Sequence, residues 1–465
     1  MVADRVLNGA MSKTYRPWDV DQTLLLPPSV HELVPAGHLA HFVRDVVRES
    51  LDLSMILDQY REERGYPPYH PAMMTALLLY AYCQGVYSSR RIAAACEQRV
   101  DFMAVTALQR PDFRTINDFR KRHLSALGAL FGQVLSLCEQ AGLVKLGHVA
   151  LDGTKIQANA SKHKAMSYGR MKQREAELAA EVAQWLAQAE AADAAEDEAL
   201  GRQRRGDELP DWVTNKQARL AKMREAMAAL EAEAVAEAQA EAAPDDPPPT
   251  APPDAPGQAP PPPAPPGLPA DNAPPPTPPD KAQRNFTDPE SRIMKTADGF
   301  EQAYTAQAVV DAESQVIVAA GLTNAGNDKQ QTVPMLDELQ RQIGRLPREL
   351  SADSGYCSEA NLAELNERRI RGYIATGRQK HGRAAATGAK SGPTDTWVGQ
   401  MSRRLKQGGH RSRYRLRKQT VEPVFGQIKG ARGFRQFLLR GLAQVGDEWR
   451  LVCLAHNLLK LARAT

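Results

Sequence analysis

Between Pro244 and Asp280 the chain is dominated by Pro, with Ala, Asp and Gly in the gaps, and no hydrophobic core can run through it. Such a stretch cannot bury enough apolar surface to offset the entropy of ordering it, so residues 244–283 read as an extended, disordered linker. A PxxP ligand for a recognition domain is the sharper reading, but compositional bias alone produces such matches. The tract forces whatever folds on its two sides to meet across it. At 465 residues the chain exceeds one ordinary core, so two or three folded units are expected around this linker.

Residues 1–142 read as an all-helical domain. Pro71 sits where a first helical turn tolerates it, ahead of Met73, Met74, Leu77, Leu78 and Leu79. Ser88 and Ser89 offer a cap for a helix over 90–97, and Thr115-Ile116-Asn117-Asp118 resembles a capping box opening one long helix through Cys138. Arg120, Lys121 and Arg122 cluster near that helix start as candidate DNA contacts, beside the plainer reading of a solvated cationic face.

Residues 143–167 supply a short apolar strand, His148-Val149-Ala150-Leu151, closing on Asp152. Residues 168–243 are rich in Ala, Glu, Gln and Arg and read as a helical hairpin or coiled coil, with Leu178, Val182, Trp185 and Leu186 on one face. Beyond the linker, 284–465 predicts a hairpin turning at Asp311–Ser314, a helix over 329–343, a strand ending at Asp353, a helix over 359–368 and a strand over 372–375. A loose basic segment over 382–406 and two closing helices complete it. An α/β fold satisfies that order, an open mixed sheet flanked by helices with acids at strand ends.

Charge is segregated. From Met401 to Arg440 twelve Lys and Arg face the single acid Glu422, a local excess of eleven positive charges, whereas the chain as a whole carries +4. That field suits a polyanion, and nucleic acid more than a small acidic substrate. The five cysteines are dispersed without a CxxC pair, as in a reduced, cytosolic protein. The longest apolar run is too short to span a bilayer and the N-terminus lacks a signal-peptide core, so no membrane partner is expected.

Asp152, Asp353 and Glu422 are therefore the candidate catalytic and metal-binding residues. Three carboxylates brought together hold two hard cations, and two such ions clamp the attacking and leaving oxygens of a phosphodiester. Each acid also has a plainer reading. A strand-end Asp is more often a turn residue, as Asp311 is taken to be, and a Glu in an Arg-rich helix is usually a salt-bridge partner. Lys418 and Lys429 fall near the Glu422 face at helical spacing and are candidate phosphate grips. Pro423 fits best if Glu422 stands near a helix start. Lys162 and His163 are placed to approach from the loop after the first strand.

Four stretches in order carry a resemblance: Leu151-Asp152-Gly153-Thr154-Lys155, Ala352-Asp353-Ser354-Gly355-Tyr356, Val421-Glu422-Pro423-Val424-Phe425-Gly426-Gln427-Ile428-Lys429 and Leu451-Val452-Cys453-Leu454-Ala455-His456-Asn457-Leu458. Together they resemble the DDE transposases of bacterial insertion sequences, in the branch often called IS-eleven-eighty-two within the IS-five-like group. The segment from Tyr69 to Lys121 is similar to that group's helical N-terminal domain. The resemblance implies an RNase H-like core, a DDE triad of Asp152, Asp353 and Glu422, and Mg²⁺ as cofactor, with Mn²⁺ as a substitute. It also implies cutting at terminal inverted repeats, joining to target DNA, action as a homodimer on the two ends, and a bacterial cytoplasmic, nucleoid-associated setting. Related transposases carry a Tyr, Arg, Glu, Lys signature on the last helix. Lys429 matches its final place, Arg415 and Lys418 stand in the places of Tyr and Arg, and Tyr414 and Arg417 come one residue early. The rival readings are a non-catalytic DNA-binding or scaffold protein and a purely hydrolytic nuclease of the same fold.

Overall fold

The computed structural model describes residues 29–30, 32–60, 68–200, 211–242, 276–296, 299–326, 328–377, 396–408 and 413–464. The linker reading of 244–275, the basic stretch 382–395 and the side chain of Leu186 lie outside the described residues.

Among the described residues seven helices come first: α1 (Leu39–Glu49), α2 (Ser54–Leu57), α3 (Pro71–Cys83), α4 (Ser89–Gln98), α5 (Val100–Thr106), α6 (Phe113–Arg122) and α7 (Leu124–Gln140). Pro71 occupies the first turn of α3 as expected, and the His70 ring accepts from the Ala72 amide at 3.2 Å to cap it. From Met74 to Cys83 every residue of α3 is buried, which fits a helix that is apolar all round. The expected long helix from Thr115 to Cys138 is two helices. Asp112 is the cap of the first, accepting from the Arg114 and Thr115 amides at 2.7 and 3.1 Å, and the chain breaks at His123. The His123 ring is buried and meets the Tyr60 hydroxyl at 3.0 Å, so tertiary packing ends α6 where periodicity alone did not.

The sheet has the order β4-β5-β1-β7-β8, with β6 on the same edge of β5 as β4. Its strands are β1 (His148–Gln157), β4 (Arg292–Thr296), β5 (Gly299–Asp311), β6 (Ile317–Thr323), β7 (Glu349–Ala352) and β8 (Arg371–Ile374). β5 runs antiparallel to β1, β4 and β6, while β7 and β8 run parallel to β1. The central strands are buried runs, with β5 covered from Gln302 to Asp311. Asp311 is the turn residue it was taken for: its carboxylate accepts from the Glu313 amide at 3.0 Å and, reaching back, from the Leu146 amide at 2.8 Å.

Between β1 and β4 the chain leaves the sheet. β2 (Ala165–Ser167) pairs with β3 (Gln283–Asn285), and from that two-stranded foot rise α8 (Tyr168–Leu200) and α9 (Asp211–Ala242). The hairpin reading holds. Leu178, Leu220 and Met223 form one small core, and Tyr168, Met171, Ala226 and Leu230 another at its base. Val182 is buried and Trp185 is half-buried.

The remaining helices are α10 (Thr332–Ile343), α11 (Glu359–Glu367), α12 (Trp397–Gly408), α13 (Leu416–Gly426) and α14 (Leu442–Leu461). α12 corrects the expectation of a loose segment over 397–406: the Thr396 hydroxyl accepts from the Gly399 amide at 3.1 Å, and the Glu359 carboxylate accepts from the Trp397 and Val398 amides at 2.8 and 3.1 Å, so a local Thr and a distant Glu cap the helix together. α14 packs on β6, α7 and α3, so the helical opening of the chain and the sheet share one buried core from Val34 to Leu461. Its Asn457 side chain donates to the Ile317 carbonyl at 2.8 Å and accepts from the Ile317 amide at 2.9 Å, clamping the start of β6.

Candidate active site

The parallel pairing of β1 and β7 ends at Ala150 and Ser351. Asp152 and Asp353 each stand two residues further on, so the register sets the two acids level with each other and, at a period of two, on one face. β1 does not end at Asp152, as the sequence suggested; it continues to Gln157 on its β5 side. What ends there is the pairing with β7, and both acids stand beyond its last pair.

The Asp152 side chain is 14% exposed and accepts from the Gly153 amide at 2.9 Å. Burial pushes its carboxyl up to about 7, against the pull of the Arg417 guanidinium and with a further push from the Asp353 and Asp328 carboxylates. Gly153 is required next to it: a Cβ there would lie 2.7 Å from the Gln307 Nε2 and 2.9 Å from the Thr305 methyl. Asp353 accepts from the Gly355 amide at 2.8 Å, which opens the single 3-10 turn Ser354–Tyr356 after β7.

Arg417, near the start of α13, ties the third acid to the first. Its guanidinium donates to Asp152 at 2.6 Å and reaches the Glu422 carboxylate at 3.5 Å. Burial works against the Arg417 charge, and Asp152, Tyr414, Asp353 and Glu422 more than restore it. Asp152 and Glu422 thus share one cation, with Asp353 within its field. Glu422 is half exposed and lies inside α13, not near its start, so the expectation drawn from Pro423 is corrected. Pro423 cannot donate to the Gln419 carbonyl one turn back, and the Gln315 side chain from the β5–β6 turn donates to that carbonyl at 3.2 Å instead. A π-helical turn, Gln427–Ala431, then carries Lys429 to β1, where its ammonium donates to the Thr154 hydroxyl at 3.1 Å and the Lys155 carbonyl at 2.9 Å.

The other basic candidates separate. Arg415, just before α13, and Lys418 on it are exposed, and Lys121 and Arg122 are exposed at the end of α6. Lys418 forms no ion pair with Glu422 among the described residues; Arg417 holds that place. Arg120 corrects its reading as a DNA contact: it is 4% exposed, donating to the Tyr87 carbonyl at 2.8 Å and the Ser89 hydroxyl at 3.2 Å, and it fastens α6 to the start of α4. Lys162 and His163 lie exposed beside the two-stranded foot, and His163 lines a groove against α9, away from the three acids.

One acid escaped the sequence reading. The Asp328 carboxylate accepts from the Gln307 Nε2 at 2.6 Å, and the Gln307 oxygen accepts from the Tyr356 hydroxyl. A Cβ on Gly355 would touch both Asp353 and Asp328, at 3.0 and 3.5 Å, so these two carboxylates flank a single point. Burial raises Asp328, the Gln307 amide lowers it, and Asp353 raises it again. The buried Tyr356 phenol is held far above its usual range, first by burial and then by Asp328, Asp152 and Asp353 together. The signal for Asp328 was its place in a polar loop, Asn324-Ala325-Gly326-Asn327-Asp328, between a strand and a helix.

The donors are all carboxylate oxygens, the chemistry a hard divalent cation takes. Among the described residues no three His, Cys, Asp or Glu side chains are gathered closely enough to hold a metal ion, and the Arg417 guanidinium is the cation standing between Asp152 and Glu422. The donor set therefore fits such an ion in kind, on condition that Arg417 releases Asp152.

No curated protein and no solved structure matches the chain. Family models do. Residues 28–122 match the Transposase domain (DUF772), and residues 272–458, which hold Asp328, Asp353, Arg417, Glu422 and Lys429, match the Transposase DDE domain. Asp152 lies in neither range and owes its place in the site to the β1–β7 register. Over these two ranges the chain is similar to transposase domains, the second of them of the DDE kind.

Proposed function

We propose that the protein is the transposase of a bacterial insertion sequence, in the IS-five-like group and its IS-eleven-eighty-two branch. In this reading it cuts at the element's terminal inverted repeats and joins the ends to target DNA. Its sheet, with the antiparallel β5 beside β1 and the parallel β7 and β8 beyond, is read as an RNase H-like core assembled from 143–167 and 284–465 around the 168–243 insertion. What supports the proposal is the parallel register of β1 and β7, beyond whose last pair, Ala150 and Ser351, Asp152 and Asp353 each follow by two residues, together with Arg417, which pairs with both Asp152 and Glu422.

Asp152, Asp353 and Glu422 are the residues that would hold Mg²⁺, or Mn²⁺ in its place, and the ion would supply activation of the attacking hydroxyl and neutralisation of charge on the phosphate oxygens. Arg417 must let go of Asp152 for that carboxylate to serve, and its guanidinium is then free to pair with a phosphate beside the cut. Lys429, already fixed on Thr154 and Lys155, supports the same strand from the β1 side. Arg415 just before α13, Lys418 on it, and Lys121 and Arg122 on α6 are read as contacts to the DNA backbone. Two ends need two active sites, so the working form is read as a homodimer on DNA, at the nucleoid in the bacterial cytoplasm. Among the described residues no helix is long and apolar enough to cross a membrane.

The test is a Mg²⁺-dependent assay of cleavage and strand transfer on the element's terminal repeats, run on wild type and on Asp152→Ala, Asp353→Ala and Glu422→Ala. Loss of both steps in all three with DNA binding retained supports the proposal. Cleavage without joining in the wild type marks a hydrolytic nuclease, and metal-independent binding with neither step marks a DNA-binding scaffold.

A further inference from the structure

The helical insertion lies outside both matched ranges, and the distribution of its charges is uneven. On α9, Lys216 pairs with Glu181 of α8 at 2.6 Å and Arg224 pairs with Glu175 at 2.7 Å, so this side of the helix is neutralised within the hairpin. Arg219 and Lys222, turned about a third of a circle or more around α9 from Arg224, form no ion pair among the described residues and are exposed. They face His163 and Lys164, likewise exposed and unpaired, across a groove of about 370 Å³. No acid lines it. Its remaining walls are Ala165, Met166, Met223 and Phe286, the last half-buried and fixed by its amide donating to the Lys164 carbonyl at 3.0 Å.

We propose that this groove is a DNA-binding tract, in which Lys164, Arg219 and Lys222 take the phosphates of one strand and Phe286 offers an apolar face to an unpaired base. Four basic side chains without a carboxylate are complementary to a polyanion, and an aromatic floor beside them suits nucleic acid better than a bare phosphate. Position supports the same partner. β1 passes from Asp152 to Gln157, a run of about 17 Å, and then enters the loop that carries His163 and Lys164. A strand held at the acids is thereby led toward the foot of the insertion, and the insertion grips DNA flanking the reacting phosphate. The inference rests on the reading of the protein as a DNA-processing enzyme.

The test is the salt dependence of DNA binding by the full-length protein, measured by fluorescence anisotropy without divalent metal, on a duplex and on a single strand of equal length. The groove variant is Lys164→Gln with Arg219→Gln and Lys222→Gln, all exposed positions that leave the hairpin cores intact. The comparison variant is Lys145→Gln with Arg348→Gln and Arg371→Gln, three exposed cations at the opposite ends of β1, β7 and β8 from the acids. The groove variant is expected to lower the slope of log K against log salt by about 2–3, with the comparison variant changing it little. Phe286→Ala is expected to weaken single-strand binding several-fold more than duplex binding. Equal slopes in the groove and comparison variants overturn the proposal, as does unchanged DNA binding coupled to lost binding of a poly-glutamate peptide, which assigns the groove to an acidic protein segment. Because catalysis is not read, loss of strand transfer in every condition with a groove-dependent slope sinks the enzymatic reading alone, and active strand transfer with an unchanged slope sinks the groove alone.

Discussion

His456 shows how much a single side chain decides. Its Nδ1 accepts from the Arg432 guanidinium at 3.1 Å and its Nε2 donates to the Gln315 carbonyl at 2.9 Å, an arrangement that only the neutral ring satisfies. Burial, then Arg432, lowers its pKa to about 3. A His whose folded pKa lies below the unfolded value of 6.5 contributes stability that is complete above 6.5 and drains as pH falls toward 3. His456→Gln, which can keep both bonds, is expected to abolish this part of the acid destabilisation, worth up to about 1.4 kcal/mol per pH unit. Urea unfolding of both proteins across that pH range checks it, and parallel curves would contradict it. Gly153 makes the complementary point about space. Gly153→Ala forces its new methyl against Gln307 and Thr305, at an expected cost of about 1–3 kcal/mol, and shifts Asp152. Strand transfer is expected to fall more than DNA binding does, and a variant of wild-type stability and activity would show that the strand has slack.

At the scale of elements, α13 is the piece whose detail the sequence could not disclose. A regular wheel puts Lys418 on the Glu422 face, yet α13 packs on β1 and β5, which turns Arg417 to Asp152 and leaves Lys418 outside. The interior Pro423 is tolerated because Gln315 takes over the Gln419 carbonyl. Gln315→Ala removes that donor and the acceptor for Lys460 at 2.9 Å. It is expected to cost about 1–3 kcal/mol and to loosen Glu422, seen as a lower urea midpoint and weaker metal-dependent activity with DNA affinity kept. The apolar runs leading to Asp152 and Asp353 were legible as strands, but the continuation of β1 to Gln157 was not, because Asp152-Gly153-Thr154-Lys155 has the composition of a turn and only the pairing with β5 keeps it extended. β4 and the two-stranded foot were not legible, since Arg292–Thr296 and Gln283–Asn285 are polar edge strands with no apolar run to announce them. Thr396, whose hydroxyl accepts from the Gly399 amide at 3.1 Å, was the one local mark of α12, while the rest of its cap, Glu359, is 38 residues away. Asp328 was hidden because a loop has no period, and only the fold brings Gln307 to it. Gln307→Leu leaves Asp328 and the Tyr356 hydroxyl unpaired and is expected to lower metal-dependent activity roughly 10–100-fold, whereas Gln307→Glu adds a fifth carboxylate beside Asp152, Asp328, Asp353 and Glu422 and shifts the metal requirement. Wild-type metal dependence in both would remove Gln307 from the supporting network.

Across the whole molecule, α14 joins what the sequence reading kept apart. Trp449, fully buried, donates to the Gln307 carbonyl at 2.9 Å, and the Cys83 and Cys138 thiols of α3 and α7 lie against the Ala455 and Asn457 carbonyls. The helical opening and the sheet are therefore expected to open together, while α8 and α9, with their two small cores, open earlier. Hydrogen exchange checks this: amides of α3 and β1 should share one opening free energy, and separate values would mean that the helical part is an independent unit. The split of the proposed catalytic carboxylates over the insertion has the same logic, because β1 reaches its partners only through tertiary pairing.

The site itself is tested most directly by diffraction from crystals grown with Mn²⁺, using its anomalous signal. The account expects a peak between the Asp152 and Asp353 carboxylates, with the Arg417 guanidinium withdrawn from Asp152 and Glu422 turned inward. Crystals that hold Mn²⁺ elsewhere or nowhere, with Arg417 still bonded to Asp152, would contradict it.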